Sequence, residues 1–489
     1  MKTKSVGINA ILNVLRQGLS ILFPLITYPY ALRVLGTEGI GKVNFGQSIV
    51  SYFALIATLG TTSYIVREGS KCKGNKEQLK LVASEVYSIN IIFTIGAYFI
   101  LVLALLFVQK FRDYRLLIIL QSLSIIFTTI GIDWINTIYE DFVRITIRSI
   151  ITYVISFVLL FLFVRDESDY YIYALLTVVT VAVICISNRF YFRRLINVRF
   201  TRKTNIKKHI RPLVTLFANS LAITINTNFD TTMLGWMKGD YYVGLYSLSV
   251  KVYSVIRNMI CAIYNVAIPR LSYYLGNNKL REYKELNTKI WSCLILLVVP
   301  ASVGMVCEVR QIVRIMGGIA MQESEFSLQC LAIALIFSTL SGALLNAMNI
   351  TLGREKENLK VTIYSAVLNI GLNFLFIPLF AHNGAAITTL ISEIFVLSFA
   401  IKSFPNIEEY LDIKLVKKEM IHAILGSVII VPITFFANRL MTNLFFQISL
   451  GIVFSGIVYI LLLFFMKDKF VKDIFAGVAS KIAKLTRRE

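Results

Sequence analysis

The sequence predicts an all-α integral membrane protein with about fourteen transmembrane helices. Three observations carry this prediction. Of 489 residues, 56% are hydrophobic, and the mean hydropathy is +0.70, values that are not expected of a soluble protein of this length. The apolar residues form runs of roughly 17–25 residues, the length that crosses a bilayer as a helix. The pattern of these runs also repeats along the chain.

The predicted spans follow one another through short joints. The first span carries Asn9, Asn13, Arg16 and Ser20, whose spacing of 4, 3 and 4 residues puts them on one helical face. The second span carries Gln47 on a similar polar stripe. The apolar runs cover residues 8–32, 43–66, 82–108, 116–139, 145–164, 170–188, 212–236, 243–268, 288–306, 326–351, 358–380, 384–403, 420–437 and 444–466.

Lysine and arginine are distributed unequally over the joints. Of 50 such residues, 37 lie on the two tails and the even-numbered joints, and 10 lie on the odd-numbered joints. Because basic residues accumulate on the cytoplasmic side of membrane proteins, both termini are expected in the cytoplasm. The net charge of +22 reflects this bias and contact with anionic membrane lipids. The bases are spread over many loops, so we expect no nucleic-acid partner.

Two halves of the chain match each other at a nearly constant shift. A shift of 203 places Gly239 on Gly36 and Gly244 on Gly41, and later matches run at a shift of 210. These matches indicate two copies of a six-helix unit that enter the membrane the same way round. The expected domains are an N-terminal lobe (1–190), a basic cytoplasmic linker (191–211), a second lobe (212–403), an additional helix pair (404–466) and a basic amphipathic cytoplasmic tail (467–489).

Ionisable residues inside the predicted spans are the first candidates for a functional site. A charge at the bilayer centre costs about 2.5–3.5 kcal/mol, so such residues usually face a bundle interior or a water-filled cavity. Arg16 lies in the first span, Asp230 in the seventh, and Lys251 and Arg257 in the eighth. Other interpretations stay open, because Arg16 could reach the headgroups by snorkelling. Lys251 could simply neutralise Asp230, and Arg257 lies about 120° around the helix from Lys251.

No enzyme signature is present in the sequence. It contains no G-x-S-x-G nucleophile motif, no phosphate-binding P-loop and no HExxH zinc motif. The six cysteines form no CxxC pair, so neither a zinc site nor a disulfide framework is expected. We therefore expect a protein that is not an enzyme and carries no cofactor, apart from a coupling ion.

Three stretches resemble the bacterial polysaccharide and O-antigen flippases, the Wzx-type branch of the multidrug/oligosaccharidyl-lipid/polysaccharide exporter superfamily. They are PLITYPYALRVLGTEGIGKVNFGQSIVSYF at 24–53, FDTTMLGWMKGDYYVGLYSLSVKV at 229–252 and LNIGLNFLFIPLFAHNGAAITTLISE at 368–393. The resemblance implies two parallel six-helix lobes around a central cavity, with a C-terminal helix pair added here. It implies alternating-access transport of undecaprenyl-pyrophosphate-linked oligosaccharide units across the bacterial cytoplasmic membrane, for O-antigen, capsule or exopolysaccharide synthesis. Partners would be the lipid-linked substrate, membrane lipids, and a polymerase and other assembly proteins.

The implied substrate assigns roles to the polar residues of the spans. A pyrophosphate needs cations, and Arg16, Lys251 and Arg257 are the bases in the appropriate layer. Sugars need amides, hydroxyls and aromatic faces, although amides in membrane helices also serve as contacts between helices. The candidate sugar-binding residues are Asn13, Gln47, Asn219, Asn226, Asn258 and Tyr253.

The resemblance also implies a site for a coupling ion. Related lipid II flippases hold Na+ with an acid on the seventh helix and with groups on the eleventh and twelfth. The matching positions here are Asp230, Asn369, Asn373, Thr389 and the backbone carbonyl of Ala385. Asn373 is an amide where that pattern has an acid. Glu393, one turn beyond Thr389, could supply the missing charge or bind H+ instead.

Two other functions compete with the flippase interpretation. A multidrug/cation antiporter of the same superfamily would favour an acidic cavity for cationic drugs, whereas the residues here are mostly basic. A membrane glycan polymerase would need a catalytic acid or base on a sizeable outer loop, and the predicted outer loops are short.

Overall fold

The computed structural model describes the chain over residues 6–139, 142–193, 196–202, 206–466, 468 and 470–472. Side chains are described for the same residues except 6–17, 19–22, 142–145 and 206–207. The described residues form helices and short connections, without β-strands. The packing divides the chain into unit 1, Met1–Ser247, and unit 2, Leu248–Glu489.

The described residues of unit 1 form nine α-helices and the first two turns of a tenth. Its long helices are hydrophobic and pack around α1, which contacts α3, α5, α7 and α9, while α5 packs on α8. The helices are α1 (Val6–Thr58), α2 (Thr61–Lys71), α3 (Lys76–Phe107), α4 (Gln109–Asp113), α5 (Arg115–Gly131), α6 (Trp134–Tyr139), α7 (Phe142–Phe163), α8 (Tyr170–Arg193), α9 (Ile206–Met237) and the beginning of α10 (Asp240–Gly276).

Unit 2 contains the rest of α10 and eight further helices. Its core is built by α11, α13 and α14, and the last helices pack outside it, α16 on α11 and α17 on α18. The helices are α11 (Leu280–Cys307), α12 (Val309–Gly317), α13 (Glu325–Gly342), α14 (Glu355–Lys402), α15 (Ile407–Tyr410), α16 (Ile413–Ser427), α17 (Ile430–Leu440) and α18 (Leu444–Phe465).

Two of the long helices are each two spans joined at a sharp kink. In α1 the kink lies at Gly36, with φ 67°, and in α14 at Ala381, with φ 48°. The left-handed region costs glycine little, whereas it strains an alanine by roughly 1–3 kcal/mol. The first kink separates the first and second predicted spans, and the second separates the eleventh and twelfth.

The structure contains eleven helical segments within its described parts that are long and apolar enough to cross a membrane. Two of them, Phe23–Lys71 and Glu355–Lys402, contain the kinks, and α9 covers the seventh predicted span without being among the eleven. The predicted total of fourteen spans stays a prediction. The predicted domain boundaries also stay predictions. The division between the compact units falls within α10 rather than in the linker 191–211, because α9 packs on α1.

The start of α10 and the second half of α1 touch through a pair of reciprocal backbone contacts. A Cβ at Gly41 would overlap the carbonyl oxygen of Asp240, and a Cβ at Gly244 would overlap the carbonyl oxygen of Thr37. The shift of 203 that relates the two repeats carries Thr37 to Asp240 and Gly41 to Gly244. The two contacts are therefore equivalent, and the sequence repeat has a structural counterpart.

Buried side chains tie the helices of unit 1 together. Asn90 on α3 donates to the Ala57 carbonyl at 2.7 Å, and Gln121 on α5 donates to the Val43 carbonyl at 2.9 Å. Between α3 and α5, the Tyr98 hydroxyl donates to a carbonyl at 2.6 Å. Since an unsatisfied polar group in hydrocarbon costs several kcal/mol, these bonds fix how the helices pack.

A three-residue cluster joins α2, α3 and α9. The Tyr64 hydroxyl lies 2.7 Å from His209 Nδ1, and His209 Nε2 lies 3.0 Å from Glu85 Oε2. All three side chains are buried, and the His209 ring is only 1% exposed. Both ring nitrogens have a partner, so the imidazole is fully satisfied within the fold.

Candidate functional site

Arg257, in the middle of α10, is a charged residue inside an apolar helix of unit 2. Its side chain is half-buried, and its Nε is buried without a hydrogen-bond partner among the described residues. Glu393 on α14 lies close enough to Arg257 for the two charges to interact. A guanidinium in an apolar helix needs a counter-charge, and α14 provides one.

Hydroxyl groups lie near these two charges. Ser341 on α13 lies within hydrogen-bonding reach of Glu393, and Ser338 lies within reach of Tyr253, one turn before Arg257. A phenol, a guanidinium, a carboxylate and two hydroxyls therefore occur together on α10, α13 and α14. Such a set can hold an anion and the hydroxyls of a sugar.

A π-helical segment, Ala343–Asn349, directly follows α13. Asn358 donates to the Leu345 carbonyl at 2.7 Å, and Asn349 donates to the Asn358 amide oxygen at 2.7 Å. These bonds satisfy backbone and side-chain groups around the irregular turn. Tyr264, two helix turns beyond Arg257 on α10, packs against Gly342, the residue just before the π-helical segment. π-Bulges occur frequently at functional sites. This one directly follows Ser338 and Ser341, which lie near Tyr253 and Glu393.

In unit 1, the predicted acid Asp230 is buried and hydrogen-bonded. The Tyr246 hydroxyl donates to Asp230 Oδ2 at 3.0 Å. Two residues further along α9, Thr232 donates to Ser48 Oγ at 3.0 Å and lies 3.2 Å from the Tyr52 hydroxyl. Asp230 therefore links α9 to α10, and Thr232 links α9 to α1, both within unit 1.

Four of the five residues implied to hold Na+ lie in unit 2, on α14. Asn373 Nδ2 donates to Asn369 Oδ1 at 3.1 Å, and the Thr389 hydroxyl donates to the Ala385 carbonyl at 2.9 Å. Thr388, which the sequence did not single out, donates to Asn373 Oδ1 at 2.5 Å and to the Ala385 carbonyl at 2.9 Å.

The chemistry of this set fits a hard cation only in part. Amide, carbonyl and hydroxyl oxygens are suitable ligands for such a cation. However, the Ala385 carbonyl already accepts two hydroxyl hydrogens, and the four residues contain no carboxylate. A cation bound here would replace the hydrogen bonds of Thr388 and Thr389, and Asp230 belongs to the other unit.

The other predicted residues differ in exposure. Gln47, Asn219 and Asn258 are exposed, whereas Asn226 and Lys251 are half-buried. Exposed amides within long apolar helices are available to a ligand. The side chains of Arg16 and Asn13 lie outside the described residues, so their proposed roles stay predictions.

Several residues of these networks were not found from the sequence. Tyr52, Tyr246, Ser338 and Ser341 are hydroxyl residues in apolar helices, where serine and tyrosine are too common to indicate a site. Thr388 was missed by one position, because the resemblance pointed to its neighbour. Helical spacing gives no signal for this contact, because Asn373 and Thr388 are fifteen positions apart and the Ala381 kink interrupts the helix between them.

Two sequence profiles of known families match the chain. The profile of the polysaccharide biosynthesis protein family matches residues 6–275, more than half of the chain. The MatE profile matches residues 215–375.

Several curated proteins are similar to this chain at low identity. A putative O-antigen transporter of Escherichia coli (strain K12) is 22% identical over 397 residues, covering 80% of this chain and 94% of that protein. A probable low-salt glycan biosynthesis flippase, Agl15, of Haloferax volcanii is 23% identical over 241 residues, covering 47% of this chain and 48% of that protein.

Solved structures share the fold. A lipid II flippase, MurJ, in an inward closed conformation matches with a TM-score of 0.73 at 15% identity, covering 94% of this chain and 99% of that chain. An inward-facing MATE-family multidrug resistance transporter of the MOP superfamily matches with a TM-score of 0.56 at 18% identity, covering 86% and 97%. The predicted fold class, an all-α multi-pass membrane transporter fold, is confirmed.

Proposed function

Because this chain belongs to the polysaccharide biosynthesis protein family, within the multidrug/oligosaccharidyl-lipid/polysaccharide exporter superfamily, we propose that it is a lipid-linked oligosaccharide flippase. Its substrate is an undecaprenyl-pyrophosphate-linked repeat unit of an O-antigen, capsule or exopolysaccharide. It moves this lipid by alternating access and makes or breaks no covalent bond. The names of the similar proteins, an O-antigen transporter and a glycan flippase, support this substrate class.

The observation that carries the proposal is the half-buried Arg257 guanidinium in an apolar helix. A lipid diphosphate brings two phosphate groups into the membrane, and a guanidinium can bind phosphate with two parallel hydrogen bonds. Glu393 balances the charge of Arg257 when no substrate is bound. The substrate then competes with Glu393 for the guanidinium, while Tyr253 and the exposed amide of Asn258 face the sugars.

The test is an export assay with Arg257 variants. A strain that lacks this protein is complemented with each variant, and surface polysaccharide and accumulated lipid-linked intermediate are measured. Hydrogen bonds to charged groups contribute about 1.5–3 kcal/mol, so Arg257→Ala should reduce export roughly 10- to 100-fold. Arg257→Lys keeps the charge but loses the planar fork, so it should recover export only partly.

Arg270→Ala is the matched control, because Arg270 is an exposed residue of the same helix. Its variant should export normally at equal membrane abundance, which an immunoblot checks. Normal export by Arg257→Ala at matched abundance would remove Arg257 from the mechanism. Protection against cationic drugs without any effect on surface glycan would instead favour the antiporter function.

We further propose that the protein resides in the bacterial cytoplasmic membrane with both termini in the cytoplasm, and that a glycan polymerase and other assembly proteins use its product. The unequal distribution of Lys and Arg over the joints supports this orientation. Reporter fusions after Gly239 and at the C-terminus check it. A cytoplasmic signal at Gly239 would contradict it.

Coupling to a monovalent cation, Na+ or H+, is the last part of the proposal. Of the predicted ligands, Asn369, Asn373, Thr389 and the Ala385 carbonyl would hold Na+ within unit 2, and its bound charge would favour one state of the transport cycle. Na+ should then raise the melting temperature of the purified protein more than K+ at equal ionic strength, and Asn373→Ala should remove the difference. Equal effects of both salts in the wild type would contradict coupling to Na+.

A further inference from the structure

The C-terminal part of the chain, after α15, contains three metal-ligating side chains that the proposed transport does not use. They are Glu419 and His422 on α16 and Asp468, just after α18. One ligand atom from each lies within 4.8 Å of the other two. His422 Nδ1 lies 2.7 Å from Asp468 Oδ2. All three residues are buried: Asp468 is 0% exposed, Glu419 1% and His422 8%.

The cluster contains more acid than its described partners balance. Glu419 and Asp468 lie within hydrogen-bonding distance of each other, which two carboxylates can do only by sharing a proton or a cation. The Oε2 atom of Glu419 is buried without a hydrogen-bond partner among the described residues. An unsatisfied buried carboxylate oxygen is costly. The Tyr459 hydroxyl, on the neighbouring α18, donates to the Leu296 carbonyl at 3.0 Å and so does not satisfy it.

We propose that Glu419, His422 and Asp468 bind a divalent transition-metal ion of the zinc class. An imidazole with two carboxylates is a ligand set that suits Zn2+ and its neighbours, whereas Mg2+ and Ca2+ prefer oxygen ligands alone. The ion would replace the proton that Glu419 and Asp468 share and would balance the charge of both carboxylates. It also supplies a partner for the unsatisfied oxygen of Glu419.

The distances in the cluster are close to those of a coordination site. Tetrahedral Zn2+ with ligands at about 2.0–2.1 Å places its ligand atoms about 3.3 Å apart. The hydrogen bond between His422 and Asp468 therefore opens by a fraction of an ångström when the ion replaces the shared proton. Glu419 closes the remaining gap by rotating its side chain.

The second carboxylate oxygen of Asp468 is already oriented. The backbone N–H of Val471 donates to Asp468 Oδ1 at 3.1 Å. Bonds of this kind hold metal ligands in place and are a regular part of metal sites. They leave Asp468 Oδ2 directed at the imidazole.

The cluster has an entry path. Glu419 also lines a cleft of about 460 Å3 between α11 and α16, together with Glu285 and Asp412. The same cleft is lined by the basic residues Arg281, Lys284 and Lys289, and Lys418 lies near Glu419. The acids and bases of the cleft roughly balance, so an ion can reach Glu419 without crossing a strongly repulsive field.

A bound ion would fix the middle of α16 to the segment after α18. Any ligand that binds only the folded protein stabilises it in proportion to its concentration and affinity. The site is structural and does not depend on the proposed transport.

The test measures metal binding by the purified full-length protein in detergent, carrying an affinity tag without histidine. The protein is stripped with a chelator, dialysed and titrated with Zn2+, Co2+ and Mg2+. We expect saturable binding of one Zn2+ or Co2+, no binding of Mg2+, and a visible Co2+ absorption band without a thiolate charge-transfer band. Glu419→Gln and His422→Asn should each weaken Zn2+ binding at least about 100-fold, because even indirect changes around a metal cost 10- to 100-fold.

His209→Gln is the matched control, because it alters a buried histidine of unit 1 and should leave Zn2+ affinity unchanged. If wild-type protein binds neither Zn2+ nor Co2+ saturably, the proposal is wrong, and this result does not depend on any variant folding. Unchanged Zn2+ affinity in Glu419→Gln and His422→Asn would also overturn it. So would a thiolate band with Co2+, which would assign the ion to a cysteine.

Discussion

Each unit buries a histidine against a carboxylate, but the two environments differ in their balance of hydrogen-bond donors and acceptors. In unit 1 the His209 ring has a phenol on one nitrogen and one carboxylate on the other, at 2.7 Å and 3.0 Å. In unit 2 the His422 ring contacts Asp468 at 2.7 Å, and Asp468 has a second acid, Glu419, beside it. One oxygen of Glu419 has no partner among the described residues. The first cluster is complete within the protein, whereas the second lacks a cation. Burial of a histidine therefore does not indicate a binding site, but an excess of acceptors over donors does.

The largest effect that separates the two clusters is expected in unit 1. His209→Ala should lower the free energy of unfolding by about 3–5 kcal/mol, because it leaves the buried Glu85 without its partner. A chelator should not change this loss, since the cluster binds no ion. Thermal unfolding in detergent, with and without chelator, measures it.

Lys208→Ala, an exposed neighbour on α9, is the control for this variant. It should unfold at the wild-type temperature. A loss in His209→Ala that disappears in chelator would mean that unit 1 also holds an ion, and the two clusters would then be alike.

The second prediction, for unit 2, is a gain in the free energy of unfolding instead of a loss. In chelator, Glu419→Gln should raise the free energy of unfolding by about 1 kcal/mol, because it removes an acid whose oxygen is unsatisfied. With Zn2+ present the wild type should be the more stable protein, so the order of the two melting temperatures reverses. Glu285→Gln, which alters an exposed acid of the same cleft, should show neither effect. A variant that is less stable than the wild type in both buffers would show that Glu419 is already satisfied.

The smallest effect is expected for the Tyr64 hydroxyl, which contacts His209 in unit 1. Tyr64→Phe should cost about 1 kcal/mol, the net value of one hydrogen bond to His209. Tyr139→Phe is a close control, because the Tyr139 hydroxyl is buried without a partner among the described residues, and its removal should cost nothing. Both are measured by chemical unfolding in mixed micelles. Equal losses in the two variants would indicate that packing, and not the bond to His209, sets the stability of this cluster.

Much of the fold could be predicted from the sequence because it follows from local patterns. Apolar length predicts the spans, and the spacing of Gly36 and Gly239 predicted a repeat whose copies indeed meet through equivalent contacts. Charge in an apolar run also singled out Arg257 and Asp230, which the structure places in polar networks.

The partners of those residues could not be predicted, because they come from other helices. Nothing in the sequence pairs Arg257 with Glu393, 136 positions later. The cluster of unit 2 was missed for the same reason, since Asp468 lies 46 positions beyond His422 and outside the predicted spans. Tertiary contacts of this length leave no periodic pattern in a single sequence.

The reciprocal contact of Gly41 and Gly244 has a consequence for the history of the molecule. In a two-fold symmetric homodimer, residue i of one subunit contacts residue j of the other, and j contacts i. The pairs Gly41–Asp240 and Gly244–Thr37 have this form within one chain, as expected of a gene duplication that fused the two subunits of an ancestral dimer. The two sides of this contact now carry different residues. One side now has Asp240, which accepts hydrogen bonds from the Tyr114 hydroxyl at 2.6 Å and 2.7 Å, where the other has Thr37. Burial next to this carboxylate raises the pKa of Tyr114, which therefore stays a donor.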